Sequence, residues 1–273
     1  MTQEPQLGWY VYCFAAGGLA AGDLGPSIDE VHPLERVECD GICALVSQVL
    51  LDDFQGSQSS EFLNDINWVG PRATRHAQVV AQVSQCQPVL PVAFGAVFYG
   101  KDAVGAIIRE HHQEIAQFLE SAAGRDEWAV KAYVDETILA RYLDEARKQL
   151  PSAQAATPGK QYFQQVRAES LKQQELREHC RFLGLQIHDR LRQAADDSHL
   201  LRLRQSSVAG RSEAMILNAA MLVARDRLAE FQHIAAQVLD QYRDQGLLLE
   251  QVGPWPLYNF CPRLGQPAAE ASR

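Results

Sequence analysis

Apolar residues recur along this chain with two periods. "WYVYCFA", Trp9 to Ala15, is aromatic and β-branched and predicts a strand. A Gly/Pro-rich loop follows from Gly17 to Pro26. "VHPLERVEC" and "GICALVSQVL" predict two more strands, joined by Asp40-Gly41. That dipeptide suits a two-residue hairpin turn, because both positions accept positive φ. Residues 60–68 predict a short helix. A longer helix is expected to begin near Pro71, where proline fits the first turn, and to reach Gln85. "PVLPVAFGAVFYG", Pro88 to Gly100, is apolar and punctuated by proline. From Lys101 to Ala123 the period becomes helical: Val104, Ile107, Ile108, Ile115, Phe118, Leu119 and Ala122 share one face.

Gly124 closes that helix and marks a predicted domain boundary. "EWAVKAYV" then reads as a strand with Trp128, Val130, Ala132 and Val134 on one face. A helix is expected from Asp135 to Leu150, a loop from Pro151 to Gly159, and a long polar helix from Lys160 to Asp196. Leu176, Cys180, Leu183, Ile187, Leu191 and Ala194 step along that helix by threes and fours, as one buried stripe. "HLLRLRQSS" predicts a strand with Leu201 and Leu203 inward and Arg202 and Arg204 outward. "EAMILNAAMLV" predicts a buried strand, Arg225 to Arg243 a helix, and "LLLEQV" the last strand.

The order of this half is βααββαβ, the split βαβ plan with its first helix doubled. The fold class expected is therefore α+β with two domains. Residues 1–124 form a mixed α/β domain, residues 125–252 a modified ferredoxin-like domain, and residues 253–273 a tail.

Composition adds mainly exclusions. The chain has 273 residues, 47% of them hydrophobic and 22% charged, which is ordinary globular make-up. Its formal net charge is -9, from 25 basic and 34 acidic residues, and no basic stripe stands out. Nucleic acid and anionic lipid are therefore not expected as partners. No charged-then-apolar stretch opens the chain, so no secretory leader is expected. No apolar run nears the ~18 residues of a membrane span, so no membrane insertion is expected. Of the six cysteines, Cys39 and Cys43 are close but lack a second pair to complete a zinc site. Reduced, buried thiols and a cytoplasmic protein are expected.

The closing segment "VGPWPLYNF", Val252 to Phe260, is unusual for a chain end. Pro254 and Pro256 lack backbone donors, so the last strand is expected to leave its sheet here and stay extended. Gly253 allows a bend. Trp255, Tyr258 and Phe260 are large enough to bury about 150–250 Å² each. They are expected to dock back and act as an interdomain clasp, with an exposed partner-binding strip as the alternative.

These residues also carry a resemblance. "GPWPLYNF" resembles the closing GPWPPYSF-type signature of the gas vesicle protein F/L family (GvpF and GvpL). "PVLPVAFGAVF", Pro88 to Phe98, resembles its VLPxRFGTVF segment, and "EWAVKAYVD" its EWxVK strand. "PGKQYFQQVR" is similar to its Gly-x-x-Tyr-Leu helix start, "LNAAMLV" to its LNxAFLV strand, and "YVYCF" to its YxYGI opening. The landmarks run from Tyr10 to Phe260 in the family's order. Ala93 stands where the family usually has arginine, so no ionic role is carried to that position. Cys13 replaces a glycine, and Leu257 and Asn259 replace a proline and a serine.

The resemblance implies an accessory protein of gas vesicles, working in the cytoplasm in association with them. It would assist shell assembly by binding the small hydrophobic shell protein (GvpA type), and other accessory proteins are further possible partners. It implies no enzyme and no cofactor. The partner contact expected from it is the apolar segment holding Pro91, Val92, Phe94, Gly95 and Phe98. An exposed sheet edge that accepts a strand is a second possibility.

Catalytic readings find little support. His111 and His112 are neighbours that diverge on a helix, and Glu114 is expected out of register for a metal site. His188-Asp189 reads as a solvated helix face. Gly159-Lys160 lacks the glycines and the Ser/Thr of a phosphate loop, and no Gly-x-Ser-x-Gly occurs. The rival to the gas vesicle reading is a binding module with a different protein or small-ligand partner, because a split βαβ fold does not settle function.

Overall fold

The computed structural model describes residues 6–19, 24–55, 59–148, 161–203, 213–262 and 264. The expected loop from Pro151 to Gly159 lies outside them, as do residues 204–207 of the expected "HLLRLRQSS" strand. The chain is mixed α and β, on two antiparallel sheets. It forms two compact units: Met1–Asp126 with Trp255–Arg273, and Glu127–Pro254.

In the first unit the strands are β1 (Leu7–Ala16), β2 (Leu34–Cys39), β3 (Ile42–Leu50), β4 (Val89–Pro91) and β5 (Val97–Phe98). The sheet order is β2-β3-β1-β4, with β5 also pairing β1. Central placement explains the apolar run of β1: it has partners on both sides, and Tyr10 to Ala15 are all buried. Edge strand β2 keeps an alternating polar pattern. The hairpin turn forms as expected, with Asp40 at φ 49° and Gly41 at φ 81°.

Helices α1 (Leu51–Gln55), α2 (Ser59–Asn64), α3 (Ile66–Cys86), α4 (Lys101–Glu110) and α5 (His112–Ala122) complete the unit. The long helix begins at Ile66 rather than near Pro71. The Asp65 side chain caps it by accepting from Asn67 N at 2.9 Å. Pro71 therefore sits inside the helix, near enough to its start to cost one backbone bond. Val79, Val80 and Val83 of α3 pack on Tyr10, Tyr12 and Cys13 of β1. The expected 101–123 helix is two helices, parted at His111 (φ -109°, ψ 19°). Its apolar face persists across the break, through Val104, Ile108, Ile115, Phe118, Leu119 and Ala122.

The second unit contains β6 (Arg125–Val134), α6 (Glu136–Lys148), α7 (Gln161–Leu191), β7 (Asp197–Leu200), β8 (Ala214–Ala224), α8 (Leu228–Tyr242) and β9 (Leu247–Trp255). Its sheet order, β7-β8-β6-β9, puts the buried strands β6 and β8 in the centre. The predicted stripe of α7 packs through Leu183, Ile187 and Leu191 on Leu217, Ala219 and Met221 of β8.

Two strand expectations need correction. β7 ends at Leu200, and Leu203 is exposed rather than inward. After Leu201 N bonds Asn218 O, the Asn218 side chain takes the Arg202 carbonyl, which ends regular pairing there. β9 does not leave its sheet at Val252 but runs through Gly253-Pro254, a cis peptide, to Trp255. As the edge strand it tolerates a residue without a donor. Gly253 serves close approach: a Cβ there would lie 2.9 Å from Glu127 O and from the Trp128 ring.

Candidate partner-binding site

The five residues expected to meet a partner lie on one stretch of the first unit, laid along β1. Val92 N donates to Tyr12 O at 2.9 Å and Val11 N to Ala96 O at 3.0 Å. This divides their side chains between two surroundings. Phe94 and Gly95 turn toward the core. The Phe94 ring lies 6.2 Å from the rings of both Tyr10 and His76 and 6.3 Å from Phe54. Gly95 N donates to the Tyr10 hydroxyl at 3.3 Å.

Pro91, Val92 and Phe98 instead line an apolar groove of about 210 Å³. Phe14, Leu90, Ala93, Ile107, Pro262 and Leu264 complete its walls. Ala93 is exposed at the groove, and among the described residues no titratable side chain lines it. Its chemistry is burial of aliphatic or aromatic groups, without charge recognition.

Beneath Phe94 is a polar cluster that sequence reading missed. The Tyr10 hydroxyl meets His76 Nδ1 at 2.8 Å, and the His76 ring stacks on Tyr12 at 5.7 Å. Tyr12 in turn pairs with Ser47 Oγ at 2.9 Å and accepts from Ile28 N at 2.8 Å. Burial pushes the Tyr12 hydroxyl up to about 12 and raises Tyr10 as well. Burial also pushes His76 down to about 4, which keeps it neutral. The Val92 backbone opposes that shift less strongly, and among the described residues His76 Nε2 makes no hydrogen bond of ordinary geometry. The signal was present in the sequence: His76 falls three and four residues before Val79 and Val80, on the apolar face of α3.

The closing motif divides differently from the expectation. Pro256 and Leu257 are buried, whereas Trp255 and Tyr258 are 44% and 38% exposed and Phe260 is half-buried. The cause is local geometry. Trp255 ends an edge strand, and Tyr258–Phe260 form a 3₁₀ turn, closed by Phe260 N to Leu257 O at 3.2 Å. That turn directs Leu257 inward. Cys261 Sγ then lies 3.0 Å from Leu257 O and 3.7 Å from Pro91 O, which brings Pro262 and Leu264 to the groove. Leu257→Ala is therefore expected to cost about 2–3 kcal/mol and Trp255→Ala about 1 kcal/mol or less. Chemical denaturation of both variants checks this, and the reverse ranking would refute it.

The histidines singled out earlier are held structurally. His111 does reach Glu114, with Nδ1 to Oε2 at 3.1 Å, because its position between two helices turns it back over the first turn of α5. His112 Nε2 meets Asp40 O at 2.9 Å. His188 is buried rather than solvated: its Nε2 meets Ser198 Oγ at 3.1 Å, and burial lowers its pKa. Among the described residues no three His, Cys, Asp or Glu side chains converge as metal ligands. No helix there is long and apolar enough to cross a membrane.

The fold and this groove define the class: a two-unit α+β protein whose motif residues frame apolar surface. The family model described as "Gas vesicle synthesis protein GvpL/GvpF" matches residues 8–262. The chain belongs to that family, and so to the accessory proteins of gas vesicles. Among its relatives is gas vesicle protein L of Streptomyces sp. (strain CB03234), 24% identical over 81% of this chain and 80% of that relative. Gas vesicle protein L1 of Halobacterium salinarum is 24% identical over 95% of this chain and 92% of its own. The crystal structure of GvpF from Anabaena sp. PCC7120 superposes with a TM-score of 0.68 at 17% identity, over 94% of this chain and 96% of that one. GvpF from Microcystis aeruginosa gives 0.64 at 17% identity, over 93% and 98%.

Proposed function

We propose that this protein assists gas vesicle shell assembly in the cytoplasm by binding the hydrophobic GvpA-type shell subunit in the groove of its first unit. The observation that carries this reading is the placement of Pro91, Val92 and Phe98, from the family-like segment, in one apolar groove. An unassembled apolar subunit needs cover for its exposed surface. A carrier of net charge -9 keeps the pair soluble while giving that cover. The closing motif then acts as an anchor that seats Pro262 and Leu264 as one groove wall.

The test measures binding of purified shell subunit to the full chain and to two groove variants, Ala93→Asp and Ile107→Asp. A charge in an apolar contact that desolvates it should weaken binding at least about ten-fold. Ala93 is exposed, so the melting temperature of Ala93→Asp should stay at the wild-type value. Wild-type affinity in both variants would remove the groove from the reading. No binding by the folded wild type would remove the shell subunit.

A further inference from the structure

Two surfaces, one on each unit, carry opposite charge around exposed apolar side chains. On the second unit, α7 and the β7–β8 end of the sheet frame a groove of about 450 Å³. Leu185, Leu200 and Leu203 line it while remaining 45%, 55% and 51% exposed. Arg177 and Arg181 stand on its rim one helical turn apart, and Glu136 is the one carboxylate among the described residues that line it. Among the described residues neither guanidinium has an ion-pair partner. A single exposed leucine means little, but three around an open groove beside two arginines form a surface of defined chemistry.

The first unit carries the complement. Between Arg36 and Arg72 the sequence has no lysine or arginine. That stretch holds α1, α2 and the start of α3, with Asp52, Asp53, Glu61 and Asp65. Leu63 and Ile66 project from it, 41% and 75% exposed. They stand on a rigid base, since Phe62 stacks on Trp68 at 5.6 Å and Phe54 meets the same ring at 5.4 Å. The negative charge is crowded enough that Asp29 and Asp52 add to burial in raising the Asp53 carboxyl, against the pull of Arg72.

We propose that these surfaces are the two halves of one head-to-tail interface between copies of this chain. Leu63 and Ile66 of one copy enter the groove of the next, and Asp52 and Glu61 meet Arg177 and Arg181. The interface is heterologous: each copy in a pair keeps one unused surface, so association continues into chains or rings. Opposite charge sets the register and makes the contact salt-sensitive.

Sedimentation velocity of the full-length protein tests this. The weight-average mass should rise with concentration at low ionic strength and fall back toward monomer at about 0.5 M salt, where screening is strong. Arg177→Glu/Arg181→Glu and, separately, Asp52→Lys/Glu61→Lys should each associate at least ten-fold more weakly and melt as wild type does, since all four positions are on the surface. Mixed together, the two double variants restore opposite charge at both pairs of surfaces, native in one and swapped in the other, and should associate with each other although neither associates alone. Leu203→Gln, at an exposed position, should weaken association without a charge change. A wild type that stays monomeric at every concentration would overturn the proposal and leave the groove to a different acidic partner. So would charge variants that associate like wild type, or a mixture that fails to associate.

Discussion

Gly184→Ala should destabilise the second unit by about 2–4 kcal/mol net, although alanine is the better helix former by about 1 kcal/mol. The reason is the closeness of α7 to β8. A Cβ on Gly184 would lie 2.1 Å from the Ile216 carbonyl oxygen and 3.0 Å from its carbon. Both are backbone atoms of a central strand and cannot swing aside as a flexible side chain would. Relief requires moving α7 off the sheet, which opens the packing of Leu183 and Ile187 on β8. Gly105→Ala is the matched control: it lies in α4, where its added Cβ would meet only the flexible guanidinium end of Arg109 at 3.4 Å, and it should stabilise by about 0.5–1 kcal/mol. Denaturant melts of both variants, with hydrogen exchange read in β8, give the comparison. A Gly184→Ala protein as stable as wild type would mean that α7 does not approach β8 this closely.

That glycine marks where reading the sequence stops. The stripe of α7 was legible because Leu183, Ile187 and Leu191 repeat at the helical period. Which strand it meets, and how near, depends on tertiary assembly that no local pattern encodes. The same division holds elsewhere. Asp40-Gly41 fixed its hairpin because turn geometry is local. The start of α3 was misplaced because two start signals competed, and the Asp65 cap, with a bond to Asn67 N, prevailed over Pro71. The break at His111 has no glycine or proline to announce it. β9 continues through Pro254 because it is an edge strand, a property of sheet order rather than of its own residues.

The candidate site was legible to the same depth. Pro91, Val92 and Phe98 stood out as apolar residues in a family-like segment. Phe14, Ile107 and Leu264 joined them only once β1, α4 and the tail were assembled around that segment. In the closing motif, size suggested that the aromatic rings would be buried. The turn at Tyr258–Phe260 gives that role to Leu257, a residue that departs from the family signature. A departure that fills a buried position points to packing of the tail in this chain.

Lowering the pH from about 6.5 to 4 should remove roughly 3 kcal/mol of stability through His76 alone, because burial holds it at about 4 rather than 6.5 and each tenfold change in proton affinity is worth about 1.4 kcal/mol. The sign follows from burial. The folded protein lowers His76 to about 4, against 6.5 for the free side chain. Between those values the unfolded chain binds the extra proton and the folded chain does not, so stability falls with pH and the loss is complete below the folded value. The groups facing His76 are Tyr10 and Tyr12 of β1, Phe94 and the Val92 backbone, and both tyrosine hydroxyls are raised away from this window. His76→Gln keeps an acceptor for the Tyr10 hydroxyl and removes the titration. Surface carboxylates titrate alike in both proteins, so the gap between their stability–pH curves isolates the histidine. The variant should be less stable at pH 7, where it lacks the stacked ring, and should lose less on acidification. Parallel curves would show that His76 is not held neutral in the fold. Because Phe94 and Gly95 rest on this cluster, protonation should loosen the 89–98 segment first. The proposed binding in the groove should then weaken at a higher pH than the one at which the second unit unfolds.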